Sequence, residues 1–288
     1  MRVTGGTVTG PVRKGAVAVR PSKRGVAAAN AMGERLLQIA GVMLLIGAWW
    51  GLSSGVLPHF GETAARALPS PVAVGERLVE LSASGELLVH ALKTLQRIVL
   101  AFGIVLVTAI PLGVIMGWSE NIRFLLDPIV ELLRPIPPIA WIPLSILWFG
   151  IGDAQKVYII CFAAFFPLLI NTVVGVRHVN PSLVAAASTL GATPRQILLR
   201  VVLPAATPFI FAGVRIAFGV GWMALVGAEI AAALAGLGYM IMAMRQGFDS
   251  AGVVAGMVVI GILGFCFDGG LRRLHRWMAP WHLEFRQE

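Results

Sequence analysis

A chain of 288 residues that is 57% hydrophobic and only 13% charged, with mean hydropathy +0.83, does not read as one or two soluble domains, where about a quarter of residues are charged. The net charge of +9 and pI near 10.7 raise nucleic acid as a partner. The basic residues gather in the tails and between apolar runs, without an aromatic-basic surface pattern, so membrane topology accounts for them and nucleic acid is excluded.

Residues 1–34 carry Arg13, Lys14, Arg20, Lys23 and Arg24 and show no helical period through Asn30, which predicts a basic, disordered cytoplasmic tail. The first apolar run, Leu36–Leu52, is long for a signal-peptide core and is followed by no small-x-small cleavage site, so it is expected to be a retained span. Ser53–Glu86 comes next and contains an amphipathic stretch, Ala73–Leu88, with Leu78, Leu81 and Leu88 on one face, expected to lie along the outer membrane surface. Five further apolar runs follow at Leu87–Trp118, Phe124–Ile151, Val157–Val176, Phe209–Leu234 and Ala251–Leu271. Each supplies the ~20 residues that cross ~30 Å of hydrocarbon. All are expected to be helical, since an open strand edge in lipid leaves backbone groups unpaired. The expectation is therefore an all-α membrane protein with about six spans. Its membrane domain runs over 35–272 and a cytoplasmic tail over 273–288.

Charge sets the orientation. With the N-terminus inside, Arg123, Arg177, Arg195, Arg200, Arg272, Arg273, Arg276 and Arg286 all fall on the cytoplasmic side, and the opposite segments are mixed or acidic. Both termini are then cytoplasmic. Gly113-x-x-x-Gly117 and Gly252-x-x-x-Gly256 suit close helix packing, within a bundle or across a dimer. Cys161 and Cys266 form no C-x-x-C and sit in apolar runs, so they read as small buried hydrophobes.

The connection at 177–208 is the most informative segment. Asn180-Pro181-Ser182 predicts a helix start capped by Ser182, and an Ala-rich helix should end at Gly191 in a left-handed turn. Thr193-Pro194 opens a second short helix, with Thr193 as cap, and Leu203-Pro204 closes it. Ala186, Leu190, Ile197, Leu198 and Val201 would stand exposed on this helix pair, which calls for a protein partner.

Ala185-Ala186-Ala187, Gly191, Val201, Leu203 and Pro204 resemble the cytoplasmic loop motif E-A-A-x3-G-x9-I-x-L-P of ABC-importer permeases. Ala185 stands where the motif has glutamate, and Val201 where it has isoleucine. Leu126-Asp127-Pro128, Arg134 to Pro138, Ile142-Pro143-Leu144, Trp148 to Gly152, Gly236 to Tyr239 and Pro280-Trp281-His282 are similar to the nitrate, sulfonate, taurine and bicarbonate branch, most to its taurine and alkanesulfonate permeases. The resemblance implies the type I importer permease fold in a bacterial inner membrane. It implies an ATPase-coupling loop at Ala185, Ala186, Ala187, Leu190, Gly191, Val201, Leu203 and Pro204. It also implies a second permease copy, two ATPase subunits that bind ATP and Mg, and a periplasmic or lipid-anchored binding protein. The substrate it implies is a small organic anion such as taurine, with nitrate, bicarbonate or an aromatic carboxylate as alternatives. No cofactor or metal is expected on this chain, which has no phosphate-cradling Gly-rich loop and no catalytic or metal-ligand motif. A stand-alone secondary transporter or channel is the competing class. It predicts more intramembrane charge along an ion path.

Candidate pathway residues follow from polar or helix-breaking groups inside the spans. Pro135, Pro137, Pro138 and Pro143 interrupt the third span, either as a kink or as a broken pathway helix. Trp141 and Trp222 sit mid-span, as cavity walls or as packing. Asn171 either lines the pathway or bonds between helices. Arg134 either attracts an anion or pairs with Glu131. Glu229 fits a gate or a structural pair, since it would repel an anion, and Asp268 and Arg272 are spaced to pair.

Overall fold

The computed structural model describes residues 23–60 and 68–278. Among them the chain forms α1 (Lys23–Trp50), α2 (Pro71–Ala83), α3 (Glu86–Trp118), α4 (Glu120–Leu133), α5 (Pro138–Phe149), α6 (Asp153–Arg177), α7 (Pro181–Thr189), α8 (Pro194–Ala232), α9 (Leu237–Gln246) and α10 (Ser250–Met278). Five helical segments are long and apolar enough to cross a membrane: Leu36–Val56, Glu86–Trp118, Asp153–Arg177, Pro194–Ala232 and Ser250–Trp277. The expected third span is not one helix. α4 and α5 meet at 85°, because Pro135, Pro137 and Pro138 remove three backbone donors at the junction.

α6 is the central post, packed between α3 and α8. Ile98, Phe102 and Val105 of α3, Ile160, Leu168 and Leu169 of α6, and Phe218 and Leu225 of α8 form the buried seam. In lipid this association rests on close packing rather than on exclusion of water. Gly113 and Gly117 are its clearest case. A Cβ on Gly113 would stand 2.7 Å from Thr172 Cβ, and one on Gly117 2.6 Å from Val176 Cβ. This small-residue pair therefore serves the α3–α6 contact inside the chain. Leu37 at 75%, Leu44 at 75% and Leu147 at 80% exposure are at home against hydrocarbon.

Several boundaries differ from the sequence reading. The helix already begins at Lys23, inside the expected tail, because Ala27–Ala29 and the run beyond favour it; residues 1–22 lie outside the described residues. α1 continues through a wide π turn, Gly51–Val56, and its Trp49 Nε1 donates to Pro69 O at 3.1 Å. The amphipathic stretch stops at Ala83, since Gly85 takes φ +77 and breaks the chain into α3. Leu81 is buried against α9 and α10, whereas Leu88 belongs to α3 and is exposed. Ser70 caps α2, and Arg77 on its polar face pairs with Glu80 at 2.7 Å and Asp249 at 2.8 Å, both of which hold its guanidinium charged. The last helix runs on to Met278, seven residues past the expected span end at Leu271; residues 279–288 lie outside the described residues. Cys161 is only partly buried and Cys266 is exposed on α10, so the apolar run places them without enclosing them.

Candidate functional site

The 177–208 connection folds as a helix pair around one turn. Asn180, not Ser182, caps α7: its Oδ1 accepts from Ser182 N at 2.9 Å, and Pro181 takes the first helical position. The helix ends in a Schellman motif. Ala192 N donates to Ala187 O at 3.1 Å, Gly191 N donates to Ser188 O at 3.0 Å, and Gly191 adopts φ +81. Thr193 and Gln196 then form a reciprocal capping box that starts α8. Leu203-Pro204 does not close this helix. A π turn at Leu198–Val202 widens the spiral just before Pro204, which relieves the clash of its ring with the preceding turn, and the helix continues to Ala232.

This geometry sorts the apolar residues of the loop into two sets. Ile197 and Val202 are buried against Val114, Val176 and Ala206, so Ile197 is not exposed as its sequence context suggests, and Leu198 and Val201 are half-buried. They anchor the loop to the bundle. Leu183 and Ala186 on α7 and Leu190 at its C-cap lie three and four residues apart and are exposed, Leu190 at 88%. They form an uncovered apolar stripe. Ala185 is exposed beside it, and its carbonyl accepts from Thr189 Oγ1 at 3.0 Å. Leu203 is half-buried and Pro204 exposed at the base of the pair.

The bend between α4 and α5 opens a cavity of about 340 Å³ against α6 and α8. Arg134 at the bend, Pro138, Phe162, Phe166 and Asn171 are among its walls. Among the described lining residues Arg134 alone is ionisable. Among the described residues no ion pair joins it to Glu131, although Arg134 keeps helical backbone as the C-cap of α4 and its N–H still donates to Val130 O at 2.9 Å. Pro167, also a wall, has no N–H to offer the Ala163 carbonyl one turn earlier. Asn171 Nδ2 donates to Pro167 O at 2.7 Å within α6, so its bond is intrahelical rather than between helices. Pro137 joins the bend but not the walls. Trp141 stands behind the cavity with its ring 4.8 Å from Phe162, in a cluster with Trp148 and Tyr158, and its Nε1 is buried without a partner among the described residues. Trp222 packs on Phe218 and beside Gly264 of α10, away from the cavity.

Glu229 is 1% exposed and belongs to a separate buried network. Arg97 Nη1 donates to Glu229 Oε1 at 2.7 Å and to Ala235 O at 2.6 Å, while its Nε and Nη2 reach Asp153 Oδ1 at 2.8 and 2.6 Å. Thr94 Oγ1 lies 3.0 and 3.1 Å from the two Glu229 oxygens and accepts from Leu237 N at 2.9 Å, and Gly238 N donates to Glu229 Oε2 at 2.9 Å. Lys156, 1% exposed, gives its ammonium to Gly152 O at 2.9 Å and Ala232 O at 2.8 Å. Two cations face two carboxylates, so the cluster ties α3, α6, α8 and the α8–α9 turn together with no charge left for an anion. Sequence reasoning singled out Glu229 and missed Arg97, Thr94 and Lys156. Arg97, a cation well inside an apolar helix, was the available signal.

A multi-pass helical bundle with a broken span around a cavity, and an anchored helix pair presenting an apolar stripe at one end, is the build of a transport permease. The chain belongs to the family described as binding-protein-dependent transport system inner membrane component, which matches residues 109–280. It is 39% identical over 255 residues to the taurine transport system permease protein TauC of Escherichia coli, covering 86% of this chain and 90% of that one. It is 36% identical over 226 residues to the putative aliphatic sulfonates transport permease protein SsuC of Bacillus subtilis, covering 78% and 82%. It is 30% identical over 255 residues to the bicarbonate transport system permease protein CmpB of Synechococcus elongatus, covering 84% and 89%. The fold is similar to that of the MetNI methionine ABC transporter in an inward-facing conformation, with TM-score 0.56 and 21% identity over 65% of this chain and 93% of that one. This chain is thus an ABC-importer permease, a multi-pass inner-membrane transport component whose ATPase is a separate subunit.

Proposed function

We propose that the chain carries a small organic anion into the cell, a sulfonate such as taurine, with the cavity beside Arg134 as its part of the pathway. The observation that carries this reading is the charge of that cavity: one guanidinium, no carboxylate among the described walls, and Phe162 and Phe166 beside it. A planar guanidinium donates two parallel hydrogen bonds to a sulfonate or carboxylate, and the aromatic walls accept a short apolar body. The names of the taurine and sulfonate relatives support the sulfonate class. The bicarbonate relative supports a second reading, a smaller inorganic anion at the same guanidinium.

Two copies enclose one pathway, both termini lie in the cytoplasm, and a binding protein delivers substrate from outside. Two ATPase subunits bind ATP and Mg beneath. The Leu183–Ala186–Leu190 stripe docks on the ATPase, and the rigid Gly191 turn passes its motion to α8. Because α8 is continuous from Pro194 to Ala232, movement at the loop reaches the Glu229 end of the same rod. Pro137, Pro138, Asn171 and Arg134 shape the pathway at the bend, Trp141 supports its wall, and Trp222 and Glu229 hold the bundle around it. The test is direct titration of the cognate binding protein with taurine, an alkanesulfonate, bicarbonate, nitrate and benzoate. Saturable binding of a sulfonate in preference to the others is expected; binding of bicarbonate or nitrate without any sulfonate refutes the substrate assignment.

A further inference from the structure

The cleft between α8 and α10 is a second cavity, about 480 Å³, which shares only Ile216 with the described walls of the Arg134 cavity. It lies toward the end of the bundle that bears α7, since its walls come from the middle of α8 and the last turns of α10. Pro208, Phe211, Ile216 and Leu271 make the wall apolar, while Arg215, Arg272 and His275 make it basic.

The charges in this cleft do not cancel. Arg215 Nε stands 2.8 Å from Asp268 Oδ1, and Arg272 Nη2 stands 3.2 Å from Asp268 Oδ2. Two guanidiniums therefore share one carboxylate, and both stay about half exposed, at 55% and 44%. His275 stacks on Phe211 with ring centroids 4.9 Å apart, and its Nε2 is buried with no hydrogen-bond partner among the described residues. A buried ring nitrogen without a partner costs free energy and marks a place where a donor or acceptor is missing. Arg273 and Arg276 add positive charge on the same helix end, and Trp277 is 79% exposed there, as an interfacial anchor would be.

We infer that this cleft seats the phosphodiester headgroup of an anionic phospholipid. Phosphate oxygens would accept from Arg272 and from Arg215, whose free N–H groups are not all used by Asp268, and the imidazole would gain its absent partner. The acyl chains would run past Ile216 and Leu274, which are exposed at 51% and 44%. A lipid fits better than a free anion because the walls belong to two spanning helices and are largely apolar, and basic pockets between such helices suit acidic headgroups.

The test uses the permease assembled with its ATPase subunits in two bilayers, phosphatidylcholine alone and phosphatidylcholine with phosphatidylglycerol, read by native mass spectrometry of retained lipid. Wild type retains phosphatidylglycerol selectively. Arg272→Gln lowers that retention about fivefold, the effect of removing one cation near an acidic headgroup. Ala212→Phe, which fills the cleft and leaves every charge in place, lowers it as well, and Arg245→Gln on α9 leaves it unchanged. Equal retention of both lipids overturns the inference, as does a preference unaffected by both cleft variants. Displacement of the lipid by millimolar inorganic phosphate overturns the lipid assignment in favour of a free-anion site. If Arg272→Gln does not assemble, the filled-cleft variant and the wild-type comparison decide.

Discussion

Replacing Glu229 by Gln tests how much the buried network holds. The carboxylate sits among four short contacts, from Arg97 Nη1, Gly238 N and the Thr94 hydroxyl, at 2.7 to 3.1 Å. The Leu237 N–H already occupies Thr94 Oγ1 as an acceptor. A glutamine keeps the shape but places its NH2 against a donor in either orientation, and it removes the one fully buried counter-charge of Arg97. Removing one member of a buried ion pair costs about 3–5 kcal/mol. Asp153, whose side chain is 52% exposed, offsets part of this from the mouth of the cluster, so the lower end of that range is expected. Asp153→Asn should cost no more than about 1 kcal/mol, because water screens that side. The double variant Arg97→Met, Glu229→Met removes both charges and should be less destabilising than either single change. Unfolding midpoints of the purified protein in one detergent, wild type beside Glu229→Gln, Asp153→Asn, the double variant and its two constituent single Met variants, measure this. A Glu229→Gln protein within about 0.5 kcal/mol of wild type, or a double variant that sums its parts, refutes the assignment of Arg97–Glu229 as a coupled pair.

Gly191→Val forces a β-branched residue into φ +81, at a cost of about 1–2 kcal/mol or more. The assembled complex should keep basal ATPase activity and lose its stimulation by loaded binding protein; undiminished stimulation and uptake would show that the turn transmits nothing. Arg134→Gln should raise the substrate concentration for half-maximal uptake about tenfold or more, from loss of a charge-assisted bond, while Arg134→Lys retains part of it; unchanged uptake kinetics in both places the anion elsewhere. Gly113→Ala drives a methyl into Thr172 and should destabilise the α3–α6 seam by about 1–3 kcal/mol, read as a lowered unfolding midpoint.

The apolar runs made the bundle legible, because nothing but a helix of about that length satisfies its backbone in lipid. Punctuation by Gly and Pro was equally readable where it acts locally: the Gly191 end, the Thr193-Pro194 start and the proline break at Arg134 all stand where the sequence puts them. Pro204 was misleading for a physical reason, since a π turn absorbs a proline that would otherwise end a helix. The cavity was legible only in part. Arg134, Pro138 and Asn171 are brought together by the 85° bend, whereas Trp141 is drawn into packing with Trp148, Tyr158 and Phe162, Trp222 into packing with Phe218 and Gly264, and Glu229 into pairing with a helix far away in the chain. Glu229 finds Arg97 across 132 positions. No local pattern encodes such a partner; only the docking of α3, α6 and α8 does.

The most direct test of the account is uptake of labelled taurine by proteoliposomes holding this permease, its ATPase subunits and its loaded binding protein. Accumulation should require internal or external ATP on the side of the ATPase subunits, stop without the binding protein, and weaken with Arg134→Gln. Uptake that proceeds without ATP, or without the binding protein, would contradict it.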